Sequence, residues 1–339
     1  MADAKGQPSR LKLVLAFAAV YIIWGSTYLA IRYAIETIPP LLMASARFIL
    51  AGTMLYVWAR LRGGARQAER INWRAAAIIG ALLLVGGNGA VVLAERSVPS
   101  GLAALLIATE PLMIVLLDWA RPDGVRPSGR VSSGLALGLV GMVVLVGPLG
   151  IVGGSEVSFT GAALLVTATF SWAAGSLYAA RTKVAASPLM AAAMQMLAGG
   201  VLLLLAGLAT GEAQRIDFSQ MSLLSIGALL YLVIFGSLVG FTSYSWLLRV
   251  TPPSLASTYA YVNPVVAVIL GWAVAGEPLT LRTMLAATVI IAAVVIITSH
   301  KAPGSQQSKN AVADKGSDEK RLDGFAHGFS KRECTEAGD

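Results

Sequence analysis

Ten apolar runs dominate this sequence, at 13–35, 40–59, 74–94, 99–118, 131–149, 159–180, 188–209, 222–247, 254–275 and 281–299. An α-helix rises about 1.5 Å per residue, and a bilayer core takes about 20 residues to cross. Pro, Gly or charged residues separate the runs, as at Pro39-Pro40, Pro99-Ser100 and Pro252-Pro253. The chain has 339 residues, 56% hydrophobic and 13% charged, against about 25% charged in soluble domains. A soluble core cannot hide that much apolar surface, so lipid must solvate much of it. The fold expected is an all-α polytopic membrane protein with ten transmembrane helices. The first run follows Lys5, Arg10 and Lys12 and superficially resembles a secretory signal. It is too long for a signal core, and its motif recurs mid-chain, so it reads as a span.

The net charge of +8 does not point to nucleic acid, because Lys and Arg sit in short segments between apolar runs. The one cysteine, Cys334, and both histidines, His300 and His327, lie beyond the last run. No disulfide framework, cysteine metal cluster or histidine relay within the spans is expected, and no cofactor. The sequence has neither a GxxxxGK[ST] phosphate loop nor HExxH, so an ATP-driven pump or an enzyme is not expected. Residues 300–339 hold seven Lys/Arg and seven Asp/Glu with few large apolar residues. That composition predicts a disordered tail.

Charge also predicts orientation. Alternate connections on one side carry fourteen Lys/Arg, among them Arg60, Arg74, Arg121, Arg130 and Arg181. The other side has Arg32, Arg96, Arg215 and Arg282. The positive-inside rule then places segment 1–12 and the tail in the cytoplasm.

The halves repeat. Gly25-Ser26-Thr27-Tyr28 parallels Gly175-Ser176-Leu177-Tyr178, and the run from Pro40 to Arg47 parallels that from Pro188 to Gln195. Glu110-Pro111 through Ala120 parallels Asn263-Pro264 through Ala273. The offsets are near 150 residues. The boundaries expected are 13–149 and 159–299 for two five-helix repeats, with 150–158 joining them. Five spans reverse the chain, so the repeats would be inverted, as in many secondary transporters whose substrate site lies between the halves.

Tyr21-Ile22-Ile23-Trp24-Gly25-Ser26-Thr27-Tyr28, Pro39-Pro40, Arg47-Phe48, Glu110-Pro111, Asn263-Pro264 and Gly276-Glu277-Pro278 resemble the drug/metabolite transporter superfamily, in its EamA-like ten-helix exporter branch. That resemblance implies a ten-helix inverted repeat, a central cavity and export of amino acids, metabolites or drugs, often coupled to an ion gradient. It also implies a bacterial inner membrane as host.

Charged groups inside spans are the informative positions, because each costs several kcal/mol unless paired or hydrated. Arg47 lies about 10 Å into its run by helical rise; Glu110 lies mid-run. Arg47 suits a substrate carboxylate, because its planar fork stays charged. Snorkelling to headgroups or a structural pair with Glu110 are its other readings. A buried carboxylate such as Glu110 can take up and release a proton in the working range. Asn263 is its uncharged repeat-mate, and a proline after each deprives a backbone carbonyl of its partner. Gln195, the mate of Arg47, is a further candidate, with Trp24 and Tyr28 ahead of Trp172, Tyr178, Tyr259 and Tyr261 as aromatic wall. Gly134-x-x-x-Gly138 and Gly236-x-x-x-Gly240 allow close helix packing. The expected partners are a small-molecule substrate, protons and the bilayer. Three functions fit the sequence: a metabolite exporter, a proton/multidrug antiporter for cationic compounds, or a membrane sensor or scaffold acting through its tail.

Overall fold

A computed structural model describes residues 9–61, 72–122, 124, 126–146, 158–182, 184–185, 187–251 and 258–298. The expected loop at 150–158, save Ser158, and the expected tail at 300–339 lie outside the described residues. Every regular element among the described residues is helical. Seven helices are long and apolar enough to cross a membrane: α1 (Arg10–Ala34), α2 (Pro40–Leu61), α3 (Trp73–Ala94), α4 (Ser100–Trp119), α6 (Phe159–Arg181), α7 (Pro188–Ala209) and α8 (Leu223–Tyr244). Helix continues beyond α8 to Val250. Three apolar helices are shorter: α5 (Gly129–Leu145), α9 (Tyr259–Ala275) and α10 (Leu281–Ile297). The expected fifth, ninth and tenth spans run partly into residues outside the description.

These helices keep apolar residues on their outer faces. Leu50, Met54, Val57 and Leu61 stay exposed along α2, as do Val201, Leu205 and Leu208 along α7. Spacings of three and four residues put each set on one face, a stripe that water would penalise and lipid does not. The inner faces carry small residues instead. A Cβ on Gly80 of α3 would stand 2.8 Å from both the Gln195 carbonyl oxygen and the Gly199 nitrogen of α7. Such small residues let backbones approach where no hydrophobic force separates helix from lipid. Gly200 receives Ile49 in the same way, and the Ser45 hydroxyl donates to its carbonyl at 2.9 Å. The partners are α2 with α7, α5 with α10, α4 with α9, α1 with α8 and α9, and α6 with α3 and α4.

Among the described residues, three helices contain wide π-helical turns, at Ala19–Ile23 in α1, Ala81–Gly89 in α3 and Leu232–Val239 in α8. Helix α4 breaks at Ala108–Thr109 and restarts at Glu110. Pro111 lacks the N–H that would reach the carbonyl of Ile107 four residues earlier. The Thr109 hydroxyl caps the carbonyl of Leu106 at 2.6 Å.

Two buried carboxylates fasten helix starts. Glu212, before α8, accepts the backbone N–H groups of Leu41 and Leu42 at 2.9 and 3.1 Å. Glu277, after α9, accepts the Ser100 N–H and hydroxyl, each at 2.7 Å, and the Gly101 N–H at 2.9 Å. An anion at a helix N-terminus satisfies orphan donors and complements the helix dipole. Arg32 of α1 joins Glu277 at 3.4 Å. These contacts tie α2 and α4 to turns more than a hundred residues away in sequence.

Candidate functional site

The breaks and wide turns surround a central cavity of about 330 Å³. Five of the six residues singled out from the sequence line it: Trp24, Tyr28, Arg47, Glu110 and Asn263. Gln195 is not among its lining residues; its backbone carbonyl packs on Gly80 of α3 instead. The repeat relation of Gln195 to Arg47 therefore does not carry over into a shared cavity. Of the other aromatics, Trp172 and Tyr259 line the cavity, whereas Tyr178 and Tyr261 do not.

Arg47 is 7% exposed and reaches α8, where its Nε donates to the Ser237 hydroxyl at 3.0 Å. Its guanidinium carbon lies 4.9 Å from the Phe48 ring centroid. Nη2 lies against Gly236, within 3.2 Å of where a Cβ would be. This fixes the side chain toward the bundle interior rather than toward headgroups. Among the described residues Arg47 and Glu110 form no ion pair with each other.

Glu110 begins the second segment of α4, where the positive end of the helix dipole favours its carboxylate. Its one hydrogen-bond donor among the described residues is the Ser176 hydroxyl of α6, at 3.4 Å. Ser176 belongs to the Gly-Ser-x-Tyr copy in the second half, so that motif reaches the site through its serine. In the first copy the Ser26 hydroxyl pairs with Tyr231 at 2.6 Å, away from the cavity lining. Asn263 is 9% exposed, and its side-chain carbonyl Oδ1 has no hydrogen-bond partner among the described residues. A buried amide oxygen without a donor is costly in a low-dielectric interior. Its neighbour Pro264 sits inside α9.

Trp24 organises the aromatic wall. Its ring centroid lies 5.1 to 5.9 Å from those of Tyr259, Tyr244 and Phe241. Its indole N–H donates to the Gly236 carbonyl at 3.1 Å, inside the π segment of α8. A Cβ on Gly240 would come within 2.3 Å of that indole nitrogen. The Gly236-x-x-x-Gly240 pair thus receives Arg47 and Trp24, while Gly134 and Gly138 pack on α10 and Leu112. Trp172 meets α3 similarly, with its ring 2.9 Å from where a Cβ on Gly87 would be.

Asn88, in the π segment of α3, and Tyr244 also line the cavity. Neither was singled out from the sequence. A lone Asn inside a Gly-rich apolar run was the available signal for the first. For Tyr244 there was none beyond its being one aromatic among many. Glu95 falls between the runs 74–94 and 99–118, yet it is 4% exposed. No group of three or more His, Cys, Asp or Glu capable of holding a metal occurs among the described residues.

The EamA-like transporter family matches two stretches of this chain, 11–147 and 159–299. An inner membrane transporter of Escherichia coli K12, YedA, itself uncharacterized, is 42% identical over 294 residues, covering 86% of this chain and 92% of that protein. The probable amino-acid metabolite efflux pump of the same organism is 27% identical over 272 residues, covering 73% of this chain and 83% of its own. A crystal structure of another protein aligns with a TM-score of 0.58 at 22% identity, covering 86% of this chain and 98% of that one. At that identity the likeness concerns the fold alone.

Proposed function

Because the chain belongs to the EamA-like transporter family, we propose that it is a secondary exporter of small zwitterionic metabolites such as amino acids, working by alternating access through a ten-helix, 5+5 inverted repeat. The observation that carries this reading is the lining of one cavity by Arg47 and Glu110 without pairing between them, beside the orphan oxygen of Asn263. Arg47 meets the substrate carboxylate with its fork. Glu110 and Asn263 Oδ1 meet the ammonium. The aromatic wall of Trp24, Tyr28, Tyr244 and Tyr259 takes the side chain. At about 330 Å³ the cavity is near the lower bound of ordinary ligand sites, about 300 Å³, which favours a metabolite over a large drug. The relative described as an amino-acid metabolite efflux pump is consistent with that substrate class.

The inverted repeat is supported by symmetric pairings: α1 with α9 mirrors α6 with α4, and α2 with α7 and α5 with α10 mirror themselves. The π segments of α3 and α8 also begin 151 residues apart, at Ala81 and Leu232. The family matches the chain once in each half. Repeats at 13–149 and 159–299 account for these relations. Rocking one half against the other would open the cavity to each side in turn. Glu110 takes a proton from the far side as the substrate leaves and returns it to the cytoplasm. Both termini lie in the cytoplasm by the charge asymmetry, and the host is the inner membrane, as for the relative of that name.

Replacing Arg47 by Gln separates substrate classes. In proteoliposomes, Arg47→Gln should reduce transport of a zwitterionic substrate by about 10- to 100-fold, the loss of one charge-assisted contact. It should leave transport of a permanent organic cation within about threefold. Equal loss of both would assign Arg47 to structure, and cation transport alone in the wild type would favour a proton/multidrug antiporter.

A further inference from the structure

A second cavity, of about 680 Å³, opens where α1, α3 and the α9–α10 turn end together, and Arg32, Glu36, Glu95, Arg96 and Glu277 line it. By the orientation proposed above it is an extracytoplasmic vestibule. Glu95 stands at its floor. The residue one helical turn earlier, Val91, is 1% exposed and lines the central cavity. Glu95 therefore lies in the buried layer between vestibule and cavity. Among the described residues, neither of its carboxyl oxygens has a hydrogen-bond partner.

The charged groups acting on it come from the α9–α10 turn, α1 and α2. They are Glu277 from the α9–α10 turn, Arg32 from α1 and Arg47 from α2, with Glu36 and Arg96 in the same vestibule. The phenol of Tyr28 faces both Glu95 and Glu110. Both nearby buried or half-buried arginines are engaged elsewhere: Arg32 with Glu277 at 3.4 Å, and Arg47 with Ser237 and the Phe48 ring. Glu277 is itself saturated by the start of α4. Glu95 also caps the C-terminal end of α3, where the helix dipole disfavours an anion. An ionised carboxylate buried without a partner is strongly disfavoured. A neutral carboxyl is the form that this closed arrangement accommodates.

We propose that Glu95 is a proton-binding site of the extracytoplasmic gate, separate from Glu110, and that its protonation closes the passage between vestibule and central cavity. A proton delivered by vestibule water bonds to a carboxylate oxygen and gives the neutral acid. When that O–H bond breaks, the proton returns to vestibule water. The anion left behind competes with Glu277 for Arg32 and draws Arg47 outward. That loosens the contact holding α1 to the α9–α10 turn. A proton that binds the closed form better than the open form must shift the equilibrium toward closure. This gate does not depend on Glu110 carrying the coupling proton.

The test uses the full chain with Cys334→Ala and one introduced cysteine, Val91→Cys, in intact cells. An impermeant thiol reagent is added outside. Labelling is expressed relative to Ala275→Cys in the vestibule wall, which cancels the titration of the thiol itself. The expected ratio falls as outer pH drops from about 8 to about 5, by up to tenfold per pH unit for one linked proton. Glu95→Gln, which mimics the neutral acid, should hold the low-pH ratio throughout. Glu95→Asp should keep a pH-dependent ratio with a displaced midpoint, and this arm decides if Glu95→Gln does not fold. Glu110→Gln should still show a ratio that falls with outer pH through Glu95, even where coupled transport is lost, so the two carboxylates fail separately. A wild-type ratio independent of pH, or a Glu95→Gln profile equal to wild type, or an Asp variant without pH response, overturns the proposal.

Discussion

Glu110→Gln is expected to abolish concentrative transport while sparing exchange. One proton coupled to one substrate allows about tenfold accumulation per unit of pH gradient, since each unit corresponds to about 1.4 kcal/mol. The Gln variant keeps the shape and the hydrogen bond to Ser176 but has no proton to exchange. Its accumulation ratio should stay at about one whatever gradient is imposed. Counterflow of labelled against unlabelled substrate should persist, because the cavity still forms. Loss of both activities together would mean that Glu110 holds the structure rather than the coupling. An unchanged accumulation ratio would remove Glu110 from the mechanism.

The second large effect concerns Gly80. Both atoms that a Cβ would strike belong to the backbone of α7, so no rotamer change relieves the clash. Overpacking of this kind costs about 1–3 kcal/mol for a methyl group and more for a larger side chain. Gly80→Ala should lower the thermal midpoint in detergent, and Gly80→Leu should remove the monodisperse folded species. Gly227→Ala is the control, since a Cβ there meets nothing within 4 Å; it should be neutral or slightly stabilising through helix propensity. Equal behaviour of Gly80→Ala and Gly227→Ala would deny the close approach of α3 and α7.

Some of this was legible in the sequence because the bilayer makes certain residues conspicuous. Arg47 and Glu110 are charges within apolar runs, and a hydrocarbon interior tolerates such groups only where they face protein or water. Both line the cavity. Asn263 followed from the repeat. The same logic did not serve Gln195, because pseudo-symmetry relates helix positions but not the depth to which a glycine lets a neighbour approach. Gly80 pulls the backbone of α7 against α3, and Gln195 is left in that contact. The π segments of α3 and α8 were not readable, since a wide turn depends on packing across the bundle rather than on local propensity. Glu95 was hidden by its address. A charge between two apolar runs reads as a loop end, and only the surrounding α1, α2 and α9–α10 turn make it a buried acid.

Glu277 and Arg32 fasten the vestibule ends of α1 and α4, and Arg47, Glu110 and Asn263 line the central cavity. The most direct measurement is transport by the purified full chain in proteoliposomes, with a broad panel of labelled amino acids, related metabolites and organic cations, with and without a pH gradient. At least one small zwitterion should accumulate when the gradient is imposed and equilibrate when it is collapsed. Movement of no compound beyond that in protein-free liposomes, or accumulation that ignores the gradient, would contradict proton-coupled export.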